Sequence, residues 1–189
     1  MLTGCGSQTV PEPTVGENLY GKVVEEAAET AAPSESAAEE EKYYLTFTAT
    51  DVNGEEVTSD VLANSKLTMI NIWATYCNPC LSEMPDLGEI AAEYDPAEFQ
   101  IIGIISDVAE NSNQEDIDGA KELIAQTQAD YTHLLLGQDL YSTLVGGVSA
   151  VPTTFFVKQD GEVLGYLTGA MEKASWEELI NELLAEVEE

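Results

Sequence analysis

Apolar residues fall into two kinds of block along the chain, and the blocks alternate. Residues 43–50, YYLTFTAT, place apolar side chains at alternating positions, as a strand with one covered face does. The pair Asn53-Gly54 then gives a tight-turn signal, and a second short strand runs through Val57. Residues 67–74, LTMINIWA, and 100–105, QIIGII, are near-continuous apolar runs, the pattern of central strands buried on both faces. Between them Leu81, Met84, Leu87, Ala91 and Tyr94 recur at helical spacing. A polar stretch from Asp107 leads into a helix around 115–128, a short strand at 132–136 and a short helix near 139–145 closed by Gly146-Gly147. VPTTFFV, the turn Asp160-Gly161 and EVLGYLT read as a hairpin. The last helix carries Trp176, Leu179, Ile180, Leu183, Leu184 and Val187 on one face, with Ser175 and Glu178 as a capping box. This order predicts an α/β fold, a mixed sheet with helices on both faces.

The first part of the chain has a different texture. Residues 6–42 are rich in Pro, Ser, Ala, Thr and Glu and show no sustained apolar period, so a flexible acidic tether is expected ahead of a domain at 43–189. Such a tether has a root-mean-square span of roughly 30–35 Å. At its start Leu2, Thr3 and Gly4 lead into Cys5, which resembles the lipobox of bacterial lipoproteins. That resemblance implies lipidation of Cys5 and a lipid anchor to the membrane. The charged and apolar segments that precede a lipobox are missing, which implies a trimmed leader, and residues 1–42 are read as lipobox remnant plus tether.

Charge removes several functions. The 189 residues hold 36 Asp plus Glu against 6 Lys plus Arg, a formal net charge of −30, and all the cations are lysine. A surface of that sign repels phosphate backbones, so no nucleic-acid partner is expected.

The candidate chemistry lies in WATYCNPCLSEMP, residues 73–85, where Cys77 and Cys80 are two of only three cysteines. A zinc site needs about four ligands; no second C-x-x-C exists, and the single histidine, His133, is far along the chain and is expected to be a strand residue with no chemical role. A structural staple closing so short a loop contributes roughly 2 kcal/mol at best. A redox couple fits the position better. The pair follows a buried strand and opens a helix, so Cys77 meets unpaired N–H groups and the helix dipole, which favour a thiolate. Cys77 is then the exposed nucleophile and Cys80, one turn into the helix, the buried resolving thiol. Pro79, early in the helix, lacks an N–H where none is needed. The acidic surface and the missing arginine work against a very low Cys77 pKa, which suits a reductant.

WATYCNPC resembles the W-x-x-x-C-x-P-C signature of the thioredoxin superfamily, and CNPCLSEMP with VPTTFFVKQDGEV is closer to its TlpA/ResA-like branch. The resemblance covers residues 43–189 and implies a thioredoxin fold with an N-terminal β-hairpin. It also implies an insertion between the two halves, matched by residues 107–130. It makes Pro152 a cis-proline facing the disulfide and Glu83 the carboxylate near the thiols, in place of a buried aspartate that thioredoxin has where this chain has Asn71. Trp73, Tyr76, Asn78, Pro79, Val151 and Thr153 are the supporting residues, with the Tyr76 ring expected to pack beside the site. No cofactor is implied beyond the redox-active pair, and no metal. The implied activity is thiol–disulfide exchange on the extracytoplasmic face of a bacterial membrane, by a monomer. It would act on protein disulfides or thiols in cytochrome c maturation or oxidised-protein repair, with a transmembrane electron donor. A thiol peroxidase of the same superfamily needs an arginine at its thiolate, and this chain has none. The alternative is a metal or haem-ligand chaperone using the same cysteines.

Overall fold

The computed structural model describes residues 42–187; Cys5 and all but the last residue of the expected tether lie outside them. The chain first forms a small antiparallel hairpin, β1 (Thr48–Thr50) and β2 (Glu56–Thr58). Its turn is organised by Asp51, whose carboxylate accepts the backbone N–H groups of Asn53 and Glu55 at 2.8 and 2.9 Å, and by Gly54 at φ +89°. Then come β3 (Leu67–Trp73), α1 (Asn78–Glu93), β4 (Phe99–Ala109), α2 (Gln114–Thr127), β5 (Thr132–Leu136) and α3 (Gln138–Thr143). The hairpin β6 (Thr153–Lys158) and β7 (Val163–Thr168) and the helix α4 (Lys173–Val187) complete the order.

Five strands form one sheet in the order β5-β4-β3-β6-β7. β3, β4 and β5 run parallel, and β6 and β7 pair antiparallel beyond β3. The alternation of a strand sorts side chains into two cores. Ile70, Ile72, Ile102, Ile104, Leu134 and Phe155 face Leu45, Phe47, Leu62 and Leu140, the layer formed by the N-terminal segment and α3. Met69, Ile101 and Phe156 face Leu87, Ile90, Trp176 and Ile180 of α1 and α4. This is the thioredoxin arrangement, with α2 and β5 filling the segment between its halves and β5 forming one edge.

Two expected helix ends differ. The amides of Ser175 and Trp176 bond the Glu172 carbonyl at 3.0 and 3.2 Å, so α4 starts three residues early and Ser175 lies inside its first turn rather than capping it. Gly146 and Gly147 do not close α3 in the left-handed conformation; they form a 3-10 turn with Val145. Close packing is the reason glycine fits at Gly146, because an added Cβ would stand 2.7 Å from the Tyr141 carbonyl oxygen.

Gly88 lets α1 approach the end of α2, since a Cβ there would lie 2.2 Å from the Gln128 carbonyl oxygen. That backbone is held by bonds from the Gln128 and Ala129 amides to Ala125 and Ile124. Gly88→Ala therefore gains about 1 kcal/mol of helix propensity but, because the atom met is backbone, incurs overpacking at the upper end of the usual range, roughly 2–3 kcal/mol. The expected result is a thermal midpoint lowered by about 2–8 °C; an unchanged or higher midpoint in calorimetry would show that α2 yields freely.

Candidate active site

β3 ends at Trp73, and the turn after it delivers Cys77 to the N-cap of α1, at the carboxyl end of the parallel strands where α/β sheets bind ligands. Two residues at the end of β4 hold this turn. Ser106 donates its hydroxyl to the Trp73 carbonyl at 2.9 Å, and the Asp107 carboxylate accepts the Thr75 backbone N–H at 3.0 and 3.2 Å and the Thr75 hydroxyl. Sequence reasoning places neither of them in the site. The available signal is a polar Ser-Asp pair ending a run of buried isoleucines.

Cys77 and Cys80 form a disulfide, and the Cys80 N–H points at Cys77 Sγ from 3.2 Å. That amide is one of the free donors of the helix N-terminus, so it would stabilise a Cys77 thiolate once the bond is reduced. Asn78 opens the helix, followed by Pro79 where no intrahelical N–H is called for. Cys77 is 6 % exposed and Cys80 0 %, so Cys77 is the more exposed of the two sulfurs, though more sheltered than expected. The Tyr76 ring does not pack beside the pair. It is 74 % exposed, because the neighbouring volume is filled by Trp73, Met84 and Val151.

The β6 end of the site lies opposite. The Val151–Pro152 peptide is cis, and the Val151 carbonyl oxygen is 3.6 Å from Cys77 Sγ. Thr153 fixes this loop by donating its hydroxyl to the Ala150 carbonyl at 2.8 Å, while the Gly169 amide bonds the Pro152 carbonyl at 2.9 Å.

Behind the cysteines a polar row crosses the buried sheet. Asn71 of β3 is in register with Gly103 on one side and Thr154 on the other, and Gly103 is in register with His133. Asn71 donates its amide to Thr154 Oγ1 and to Glu83 Oε1, both at 3.1 Å, and the Met171 backbone N–H bonds Glu83 Oε2 at 3.2 Å. Glu83 is 3 % exposed, on the α1 face that also buries Cys80, Met84 and Leu87. Loss of hydration is the main cause that pushes its carboxyl up to about 7; nearby Asp86 adds to it, and the hydrogen bonds oppose it. Both its neutral and ionised forms are thus accessible near neutral pH, so it is not a fixed negative neighbour of the thiols.

His133 is not remote from the site. Trp73 Nε1–H donates to its Nδ1 at 3.2 Å, so the proton sits on Nε2 and is given to the Ala129 carbonyl at 3.0 Å. Burial lowers its pKa to about 4, and both nitrogens are engaged, which leaves none for a metal. Among the described residues no group of three or more His, Cys, Asp or Glu side chains is placed to hold a metal ion.

Residues 42–165 match the model of the AhpC/TSA family. The chain is 30 % identical over 141 residues to thiol-disulfide oxidoreductase ResA of Oceanobacillus iheyensis, which covers 68 % of this chain but only 65 % of that relative's length. It is 29 % identical over 132 residues to the ResA of Bacillus thuringiensis strain Al Hakam, covering 69 % of this chain and 70 % of that one. Among solved structures, a thiol:disulfide interchange protein of the thioredoxin family from Chlorobium tepidum superposes with a TM-score of 0.63 at 22 % identity, over 78 % of this chain and 99 % of that chain, and supports the fold. By the family match and by the cysteine pair at the carboxyl end of β3, the chain belongs to the AhpC/TSA family as a ResA-like member of the thioredoxin superfamily.

Proposed function

We propose that the protein reduces disulfides of protein substrates on the extracytoplasmic side of a membrane, to which Cys5 anchors it. The observation that carries this reading is the Cys77–Cys80 pair at the start of α1 with the Glu83 carboxyl buried one turn behind Cys80. The Cys77 thiolate attacks one sulfur of the substrate disulfide, and the first substrate sulfur leaves as a thiolate. Glu83 takes the proton of Cys80. The Cys80 sulfur then attacks Cys77 Sγ, breaking the mixed disulfide and expelling the second substrate thiolate. Two electrons pass from the pair to the substrate, and both leaving thiolates take up protons. A carboxyl near 7 is matched to this exchange, because it is populated in both protonation states at working pH.

An electron donor must then restore the dithiol. We assign that step to a transmembrane electron donor. The test is reduction of insulin with a small dithiol as terminal donor. Turnover should persist in the presence of EDTA and vanish in Cys77→Ser. Activity abolished by the chelator, or retained in Cys77→Ser, would sink this reading.

A further inference from the structure

Buried polar atoms almost always find hydrogen-bond partners, and each donor left without one costs about 1–3 kcal/mol. Among the described residues, Asn71 Oδ1, Tyr131 OH and Trp176 Nε1 are buried with no partner. One of the three residues, Asn71, bonds Glu83, and the other two are coupled electrostatically to the same carboxyl. The Trp176 indole N–H is near enough to favour the charged carboxylate yet is not in hydrogen-bonding geometry, and the Tyr131 hydroxyl feels the charge of Glu83. They reach it from α4 and from the segment before β5.

We propose that Tyr131 and Trp176 are reserve hydrogen-bond donors for the ionised form of Glu83, and that Asn71 Oδ1 is the reserve acceptor for its acid form. All three are then positioning residues for proton exchange with Cys80. This rests on the role given to Glu83 above. With the carboxyl neutral, its O–H needs an acceptor, and Asn71 turned over about its last side-chain bond presents Oδ1 where its N–H had been. With the carboxyl ionised, Asn71 presents the N–H again, and the Tyr131 hydroxyl and Trp176 N–H supply the extra donors that a buried carboxylate needs. In this proposal the Glu83 side chain turns toward them when it ionises. The structure shows Asn71 in its donating orientation toward Glu83, with Oδ1 held back for the acid form and the other two donors not yet engaged.

Few other charges compete here. Asp86 lies one turn along α1 and raises the carboxyl further. Lys173 at the start of α4 is bound to Glu89 and Glu93 at 2.9 and 2.7 Å, while its backbone N–H bonds Asp86. Tyr131 is held neutral by burial, and its ring stacks on His133 at 4.4 Å. The remaining neighbours that bond Glu83 or Asn71, Met171 and Thr154, carry no charge.

The experiment is a carboxyl carbon NMR titration of the oxidised full chain labelled at glutamate, with Glu83 assigned by the signal missing in Glu83→Gln. The wild-type midpoint should fall at about 7. Tyr131→Phe keeps the stacked ring and removes one oxygen, and should raise the midpoint by about one pH unit, as loss of a hydrogen bond to a charged group does. Trp176→Phe should shift it in the same direction. In parallel, the rate at which Cys80 closes the mixed disulfide should show a pH limb that moves upward in Tyr131→Phe. A midpoint that stays or falls in Tyr131→Phe overturns the inference, whether or not Trp176→Phe folds. A closure profile for Glu83→Gln identical to wild type would strike the role of Glu83 toward Cys80 instead, and with it the positioning role, while the NMR shifts would still decide the reserve donors.

Discussion

In Cys80→Ser, mixed disulfides with substrate should accumulate through Cys77 and turnover should all but cease, while Cys77→Ser should form none. The size of the effect follows from geometry. Cys80 sits three residues along the same helix with its sulfur already at bonding position to Cys77. Well-oriented groups of this kind act with effective concentrations on the order of 10⁵ M or more, which no thiol in solution can replace. A serine hydroxyl at the same place is too weak an acid to attack in its stead. Cys77→Ser lacks the sulfur nearest the substrate side, the one 3.6 Å from the Val151 carbonyl oxygen. Non-reducing electrophoresis after exposure to a disulfide-bonded protein reads both variants at once. Equal trapping by the two would reverse or abolish the assigned roles.

A second large effect concerns stability. Glu83→Gln should be more stable than wild type at pH 8 by about 3 kcal/mol, or roughly 6–12 °C in thermal midpoint, and no more stable at pH 4. The folded carboxyl titrates at about 7 against an ordinary 4.5. Below 4.5 it is neutral in both the folded and unfolded chain and carries no penalty. As pH rises through this window the unfolded chain ionises first, so stability is lost until the folded group also ionises. Glutamine reproduces the neutral acid and escapes the loss. His133 slopes the other way. Its pKa is lowered from 6.5 to about 4, so its contribution is full above 6.5 and is lost as pH falls through 4. In wild type the two slopes oppose each other between 4.5 and 6.5, and in Glu83→Gln only the histidine slope remains. Urea unfolding of the oxidised forms across pH 4–8 measures the difference; a gap that does not change with pH would refute the buried-acid account.

Much of this architecture is legible in the chain because burial writes itself into composition. Strands β3 and β4 are covered on both faces, so their apolar runs name them, and the cysteine pair marks where β3 hands over to α1. The helix ends are less legible, since a capping pattern such as Ser175 and Glu178 can also occur inside a first turn. Glu83 itself carries a readable signal. It falls between Cys80, Met84 and Leu87 on the apolar stripe of α1, a place where a solvated carboxylate does not belong. What cannot be read is pairing across long separations. Asp107 meets Thr75, His133 meets Trp73 and Met171 meets Glu83 only once the sheet and its helices have closed, and no local pattern announces such meetings.

The chain has two tryptophans, Trp73 and Trp176, both fully buried, and each stands at a different half of the chemistry. Trp73 packs in the cluster that holds both cysteines, whereas Trp176 stands against the Glu83 carboxyl. An excited indole gives up an electron more readily to a disulfide than to thiols, so the emission of Trp73, packed in the cluster with the pair, should rise on reduction. Trp176 emission follows the field of the carboxyl. With Trp73→Phe the remaining light reports the proton, and with Trp176→Phe it reports the electrons. The two tryptophans thus offer two optical readouts of one turnover, one placed beside the electron-carrying pair and one coupled to the carboxyl that holds the proton.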